Sequence, residues 1–415
     1  MNDFENHSLA HPDNLYIVGA WLSYERALQG YSLRGLARGS NVAASLISAI
    51  ENQKTKANLE TLKYLYEALH HPFITDEDYL KSVQENIQSL YYAVYDQNDA
   101  VIPHLYAGLK EHFTKLKYSP ITVDLILIEA FMQIHYEDGP VSKAFEALIH
   151  HETFLSTPQK QRLYLNLGYL ALKGGDVTGA IQAFEKVLVN HRESRAHAVA
   201  LTMIAQLKLR DFDILGALER ANEASKLHAY YSNLFRKVEV DFTLIQCHIT
   251  LNQLQHAESI LQNLSYVLVQ SNARYWNELQ AFKAYVAYRK GAFHESIQIL
   301  HKIEERNLLQ TILLAQSQVH TSKLDAAKSL YDALLNDPDL SPTQRTMIQI
   351  LMLQFPGSDI KSVNVESLFD DPKQFEHLHV VQTLMDVLNE YAHTHQETEV
   401  LYRLQKLSLK LMKYE

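Results

Sequence analysis

The chain has 415 residues, of which 47% are hydrophobic and 21% charged, enough to bury a large core in more than one domain. The net charge of −10 argues against a protein that coats nucleic acid with its whole surface, but it allows a local basic face. No apolar run is long enough to cross a membrane and the N-terminal residues lack a secretory signal, so we expect a cytoplasmic protein with no membrane partner. The single cysteine, Cys247, agrees with a reducing compartment, and the low counts of 13 Gly and 10 Pro favour an all-α fold.

Four helical segments between residues 15 and 69 predict a small bundle that follows a loose polar arm at residues 1–14. The first helix runs from about Leu15 to Gln29 and ends at Gly30, and Ser32 is placed to cap the second helix. The third segment, ASLISAIEN, turns its short side chains to solvent. Its larger apolar residues are expected to face the core, and these are Leu46, Ile47 and Ile50.

The segment from Ser32 to Leu69 resembles the helix-turn-helix domain of phage repressors and their bacterial relatives. The resemblance rests on Ser32, Leu36-Ala37, Val42, Ile47-Ser48, Ile50-Glu51 and the run from Leu59 to Leu69. It implies that the third helix enters the major groove of DNA and reads base edges through Ala44, Ser45, Ser48 and Ala49. It also implies phosphate contacts from Ser32, Arg34, Asn52, Lys54 and Lys56, and a structural ion pair between Arg26 and Glu51.

The expected reading positions carry shorter side chains than the amides and arginines that family members often place there. Readout would then rest on methyl contacts to thymine, on water or on DNA shape. The charge pattern supports DNA binding, because residues 32–63 hold five basic side chains (Arg34, Arg38, Lys54, Lys56 and Lys63) against two acidic ones (Glu51 and Glu60). A bundle that serves only as a docking module remains the alternative.

Helix-breaking residues at 70–75 separate this bundle from a long helical region, whose first helix begins at the acidic residues 76–78. The chain is thus predicted to contain a helix-turn-helix domain at 1–72, a linker helix with a divergent first helical pair at 73–118, repeats at 119–355 and C-terminal capping helices at 356–415. The last two helices are expected to separate near residues 393–395.

The stretch from Arg162 to Asn190 reads as two amphipathic helices with a break at residues 174–176. Gly168 and Ala180 would let the two backbones approach closely, and Phe184 would fill the space beside them. This pattern resembles a tetratricopeptide (TPR) repeat, which cannot bury its apolar face alone. The small residue that opens each second helix recurs, and the resulting prediction is a TPR-like right-handed α-solenoid; the recurring positions are Ala144, Ala180, Ala217, Ala257, Ser296 and Ala327.

In such a solenoid the first helix of each pair lines the concave side. Carboxamides there can bond both the N–H and the C=O groups of an extended peptide, and tyrosines add flat apolar contact. We therefore predict a groove for a short peptide. One row of the groove consists of Gln133, Tyr169, Gln206, Gln246, Tyr285 and Gln316, the neighbouring row of Asn166, Thr243 and Phe282, and the flanking charged residues are Arg162, Glu239, Glu278 and Arg289.

No enzyme is predicted. The sequence has no phosphate-binding glycine loop and no nucleophile with a local base, and its histidine pairs lack a third ligand at metal spacing. We expect no catalytic residue, no metal and no cofactor.

The domain order resembles that of the peptide-responsive quorum-sensing transcription regulators of Gram-positive bacteria, the group called RRNPP. The resemblance implies a cytoplasmic homodimer that binds a double-stranded DNA operator and an imported signalling peptide, held by side-chain amides of which Asn166 comes first and Gln206 and Gln246 next. Three alternatives stay open: a phage lysis-lysogeny communication regulator, a TPR adaptor that binds a protein partner without DNA, and an effector of a response-regulator phosphatase step. The peptide, the operator, the direction of regulation and the effect of peptide on the dimer are left open.

Overall fold

The computed structural model describes residues 11–137, 139–189, 194–268, 273–375 and 378–411. Within these residues the protein is all-α, with 22 α-helices, four short 3-10 helices and no strand. The predicted fold class is therefore confirmed. Most of the polar arm expected at residues 1–14 lies outside the described residues.

The N-terminal bundle contains four helices, which are α1 (Asn14–Leu28), α2 (Leu33–Ser40), α3 (Ala44–Glu51) and α4 (Leu59–Ala68). Gly30 follows α1 with a φ of 73°, a left-handed conformation that glycine adopts without steric cost. The N–H of Gly35 donates to Ser32 Oγ at 3.0 Å, so Ser32 caps α2 as predicted.

Helix α3 differs from the prediction at one residue. Leu46 is 38% exposed, whereas Ile47 and Ile50 are 0% and 1% exposed. Positions three apart on a helix lie on one face, and α3 buries a single narrow stripe against the other helices of the bundle. Leu46 lies beside that stripe, so the expectation that it faces the core is wrong.

Most of the helices that follow the bundle form consecutive pairs. The pairs are α5 (Glu77–Tyr95) with α6 (Ile102–Lys115), α7 (Thr122–Tyr136) with α8 (Lys143–Ile149), α9 (Thr157–Lys173) with α10 (Val177–Leu188), α11 (Arg195–Arg210) with α12 (Ile214–Tyr230), α13 (Leu234–Thr250) with α14 (Leu254–Leu268), α15 (Ala273–Arg289) with α16 (Phe293–Leu300), and α17 (Leu308–His320) with α18 (Leu324–Leu335). The C-terminal helices are α19 (Pro342–Leu351), α20 (Glu366–Asp370), α21 (Leu378–His395) and α22 (Thr398–Leu411). Helix α21 continues through residues 393–395, and the break before α22 falls at residues 396–397.

The repeat register follows the small residues that open the second helices. Five of them are fully buried, namely Ala180, Ala217, Ala257, Ser296 and Ala327. Each follows, at the same spacing, a turn residue with positive φ, and these turn residues are Gly175, Phe212, Asn252, Gly291 and Ser322. In the α7–α8 pair the predicted Ala144 is only half-buried, and its neighbour Phe145 is the fully buried residue.

The pair α9–α10 shows why its small residues are needed. A Cβ atom placed on Gly168 would lie 2.4 Å from a ring carbon of Phe184, closer than real Cβ contacts allow. Both Phe184 and Ala180 are fully buried. The predicted close crossing of the two helices, with an aromatic ring beside it, is confirmed.

The chain divides into two compact units. The first unit comprises the residues up to Leu201 together with Leu227–Arg236, and the second comprises Thr202–Lys226 together with the residues from Lys237 onward.

Within the first unit, α1 contributes to two apolar cores. Val18 and Leu22 pack into the core of the N-terminal bundle. One position earlier on the helix, Ile17 and Trp21 pack against a second cluster, whose members include Val123, Leu127, Phe145 and Leu163. The bundle is therefore packed directly against helices α7, α8 and α9.

Candidate functional sites

The structure places all nine predicted DNA-contact residues on or near the surface of the N-terminal bundle. The half-buried ones are Ala44, Ser48 and Ala49, and the exposed ones are Ser32, Arg34, Ser45, Asn52, Lys54 and Lys56. Three of their polar groups already have partners. Ser32 caps α2, and Asn52 Nδ2 donates to the carbonyl of Ser48 at 2.7 Å. Lys56 Nζ lies 3.4 Å from Asp13 Oδ1. Together these side chains form one candidate surface on and around α3.

The orientation of α3 is fixed by the predicted ion pair. Arg26 Nε and Nη2 donate to the two carboxylate oxygens of Glu51 at 2.6 and 2.8 Å, and Arg26 Nη1 donates to the carbonyl of Tyr31 at 2.9 Å. The hydrogen bonds to Glu51 raise the pKa of Arg26 above its ordinary value. A bidentate pair constrains both distance and angle, so it holds α3 on α1.

A second polar cluster joins the bundle to the repeats of the first unit. Glu25 of α1 is 5% exposed and lies 3.3 Å from Lys117 Nζ and 3.3 Å from His71 Nε2. Burial acts to raise the pKa of Glu25, but the nearby Tyr118 hydroxyl and the charge of Lys117 outweigh it and lower the pKa. The Tyr118 ring also stacks on Tyr66 of the bundle with centroids 4.7 Å apart. The residues just before α7 are thereby tied to the bundle.

A third contact lies next to the candidate reading helix. Gln53, which follows α3, has its side-chain Nε2 at 2.9 Å from Nδ1 of His151, which follows α8. Beside it, the ring of Tyr16 stacks on Phe154 with centroids 4.7 Å apart. The turn after α3 is thus in contact with the repeat helices of its own unit.

The second unit contains a cavity of about 580 Å³. It is lined by the first helices of three successive pairs, α13, α15 and α17, and by α19 and α21. Five of the thirteen residues predicted to bind peptide line it, and they are Gln246, Glu278, Phe282, Tyr285 and Gln316. Side chains from the first helices of these three pairs therefore converge on one cavity, and their role in peptide binding stays a prediction.

Aromatic side chains supply much of the cavity wall. Phe282 stacks on Phe242 with centroids 5.3 Å apart, and Tyr285 is half-buried. Burial raises the pKa of Tyr285, and the neighbouring Arg289 acts in the opposite direction. Gln316 is 4% exposed, and its Nε2 donates to the hydroxyl of Tyr331 at 2.7 Å. The cavity therefore offers flat apolar surface together with amide groups. The amide of Gln316 already forms a hydrogen bond within the protein.

Other cavity residues were not predicted. These are Ile249, Asn277, Ala281, Tyr288, Glu305, Asn307, Leu309, Gln310, Ile312, Leu313, Leu351, Val380, Thr383 and Leu384. The spacing of Asn307 and Gln310 is a sequence signal for a helix start, and the two side chains do form a capping box at α17. No pattern in the sequence indicates that α21 supplies part of the wall.

The other eight predicted peptide contacts do not line this cavity. Four of them belong to the second unit, and these are Gln206, Glu239, Thr243 and Arg289. Thr243 is 5% exposed and its hydroxyl donates to the carbonyl of Glu239 at 3.2 Å. Arg289 Nη2 lies 3.5 Å from Asn252 Oδ1. These residues stay predictions.

The remaining four lie in the first unit. Gln133 Oε1 accepts from the N–H of Ser142 at 3.2 Å. Arg162 donates to Asp124 at 3.1 Å and to Gln88 at 2.7 Å, with its guanidinium 4.3 Å from the centroid of the Tyr91 ring. Tyr169 lines a separate open pocket of about 400 Å³.

Asn166, the first choice from the sequence, is fully buried. Its Nδ2 donates to the carbonyl of Leu127 at 2.8 Å, and its Oδ1 has no hydrogen-bond partner among the described residues. An enclosed amide cannot reach a ligand in this conformation. Its predicted role as a peptide contact therefore does not fit the described conformation.

The described residues contain no cluster of three or more His, Cys, Asp or Glu side chains arranged to hold a metal ion. None of the helices in this part of the chain is long and apolar enough to cross a membrane.

Neither a family model nor a curated protein matches this chain. Several solved structures do match it. A Rap protein complexed with competence and sporulation factor has a TM-score of 0.62 and 16% identity, over 81% of this chain and 100% of the Rap chain. The apo form of the quorum sensor NprR from B. thuringiensis has a TM-score of 0.59 and 13% identity, over 80% of this chain and 99% of its own.

NprR in complex with its cognate peptide NprX is also similar, with a TM-score of 0.57 and 12% identity over 82% of this chain and 99% of its own. At these identities the similarity concerns the fold. The protein therefore has the all-helical, TPR-like repeat fold seen in Rap and NprR.

Proposed function

We propose that the protein is a DNA-binding transcription regulator whose helical repeats bind a short signalling peptide. The observation that carries this proposal is the cavity in the second unit, where side chains of α13, α15 and α17 converge with those of α19 and α21. Its volume of about 580 Å³ lies within the range of small-ligand sites. Two structures of the same fold, a Rap protein and NprR, are complexes with a signalling factor and a cognate peptide.

The lining of the cavity suits an extended peptide. Gln246 and Asn277 carry carboxamides, which donate and accept hydrogen bonds at once, and Phe282 offers an aromatic face. The charged lining residues among those described are Glu278 and Glu305. A peptide with an amino group or a basic side chain near these carboxylates would gain electrostatic complementarity.

The DNA part of the proposal rests on the N-terminal bundle. Its α3 presents one exposed face, and Arg34, Lys54 and Lys56 are exposed around it. In the proposed regulator a cytoplasmic homodimer places two such faces on an operator, and peptide binding changes their spacing. Coupling of this kind typically amounts to about 1–3 kcal/mol, which changes operator occupancy several-fold or more.

A TPR adaptor that binds a protein partner is the second candidate. It is favoured by the short side chains at Ala44, Ser45, Ser48 and Ala49, which offer few hydrogen bonds to bases. The same two-part architecture also fits a phage communication regulator that chooses between lysis and lysogeny.

The peptide half of the proposal is tested by thermal melting of the full chain with short synthetic peptides from its genomic neighbourhood. A peptide at a hundred times its dissociation constant stabilises the native state by about 2.7 kcal/mol. We expect Gln246→Ala to reduce this stabilisation. The matched control is Gln280→Ala, since both residues are half-buried glutamines on first helices and only Gln246 lines the cavity. Equal losses in the two variants would place the peptide elsewhere.

The DNA half is tested by selecting a binding sequence from random duplexes with the same protein. Ser45→Glu with Ser48→Glu should abolish binding to the selected operator, because two carboxylates would face the phosphates. Selection of no sequence by the unaltered protein would favour the adaptor.

A further inference from the structure

The solvent-exposed surface of α3, with Leu46 at its edge beside the buried stripe, is rich in methyl groups. Leu46 is 38% exposed, the preceding Ala43 is exposed, and Ala44 and Ala49 are half-buried at the surface. The hydroxyls of Ser45 and Ser48 are the polar groups between them. A helix that reads bases through this face would therefore present mainly apolar groups.

The longer polar side chains at the end of α3 already have partners. Glu51 accepts both hydrogen bonds from Arg26, and Asn52 Nδ2 donates to the carbonyl of Ser48 at 2.7 Å. Bidentate recognition of guanine or adenine needs an Arg, Lys, Asn or Gln with free donors in the groove. Helix α3 itself, ASLISAIE, contains none of these four residue types.

The major groove offers one apolar group at base edges, the C5-methyl of thymine. Leu46 is the third residue of α3 and so lies in its first turn, the part of a recognition helix that approaches the bases. Its side chain extends beyond the single methyl of an alanine at a neighbouring position. We propose that Leu46 reads a thymine C5-methyl and acts as a specificity-determining residue, an inference that rests on the proposed DNA-binding function.

A lone exposed leucine on a protein surface needs no explanation by itself. The distinction here is position, because Leu46 lies on the same short helix as the expected reading residues and close in sequence to Lys54 and Lys56. Leu59, the first residue of α4, is 39% exposed and thus equally accessible, but it lies outside α3. It supplies a control of matched exposure.

The experiment uses the full chain and the operator obtained by selection from random duplexes. Each thymine of the operator is replaced in turn by deoxyuridine, which removes only the C5-methyl. Losing one buried methyl contact is expected to weaken binding roughly fourfold. In Leu46→Ala this penalty should disappear at one thymine of each half-site and persist at the others, whereas Leu59→Ala should retain the complete pattern. Melting temperatures show whether both variants are folded.

Two results would overturn the inference while leaving the proposed function intact. One is an operator whose affinity does not change with deoxyuridine at any position, and the other is an unchanged uridine penalty in Leu46→Ala. Failure of the unaltered protein to bind any duplex would instead overturn the DNA half of the proposed function, and the role of Leu46 with it.

Discussion

The N-terminal bundle and the cavity of the second unit are built over very different distances along the chain. In the bundle, Ser32 accepts from the N–H of Gly35, three residues further on, and Arg26 pairs with Glu51 of the next helix but one. The cavity brings Gln246 together with Leu384 of α21. A site of local origin can be recognised in a sequence as a motif, whereas a site assembled from distant helices depends on how those helices pack.

The largest expected effect comes from removing the local ion pair between Arg26 and Glu51 in the bundle. Glu51→Leu leaves the guanidinium of Arg26 without its carboxylate, and side-chain exposures of 17% for Arg26 and 5% for Glu51 show that water cannot fully replace it. We expect a loss of about 3 kcal/mol in the free energy of unfolding, measured with urea.

The matched control replaces both partners. Arg26→Met combined with Glu51→Leu should lie within about 1 kcal/mol of the unaltered protein, since no buried charge is left unpaired. A double variant as unstable as the sum of the two single variants would show that the pair holds α3 through geometry that apolar packing cannot supply.

A smaller loss of stability is expected in the cavity, from removing the hydrogen bond between Gln316 and Tyr331. Gln316 donates to the Tyr331 hydroxyl, so Gln316→Leu should cost about 1 kcal/mol of stability, a typical net value for one hydrogen bond. If Gln316 serves only the fold, Tyr331→Phe should cost a similar amount and neither variant should alter peptide affinity. Peptide affinity is measured by titration of each folded variant.

A loss of peptide affinity in Gln316→Leu with none in Tyr331→Phe would show that the amide also contacts the ligand. That outcome would return Gln316 to the role predicted from the sequence.

The smallest expected effect is the alkylation of the buried Cys247 thiol in the native protein, which should be undetectable. Cys247 follows the cavity residue Gln246 on α13 but is fully buried, and burial raises the pKa of its thiol to about 12. The thiolate is the reactive form, so at pH 8 the native protein should not be alkylated, whereas the protein in urea should react completely. Rapid alkylation of the native protein, followed by mass spectrometry, would show that α13 opens readily beside the cavity.

The helical pairs could be predicted from the sequence, whereas the packing between distant helices could not. The periodicity of apolar residues and the recurring small residue predicted the helical pairs, because both depend on neighbours within one turn or one hairpin. The exposure of Leu46 was missed since the apolar stripe of α3 is narrower than its composition suggests. The enclosure of Asn166 depends on how closely α9 packs against α7, and the contribution of Thr383 to the cavity depends on where α21 packs. Neither arrangement leaves a local pattern.

Helix α1 bears on how such a protein can be rearranged in evolution. Its residues Val18 and Leu22 belong to the core of the bundle, while Ile17 and Trp21 belong to a core formed with α7, α8 and α9. A gene fusion that moved the bundle to another protein would remove Ile17 and Trp21 from that second core and leave its other residues behind, and both newly exposed surfaces would be apolar. Domain shuffling at this junction would therefore require compensating substitutions on both sides, which favours inheritance of the bundle together with α7, α8 and α9.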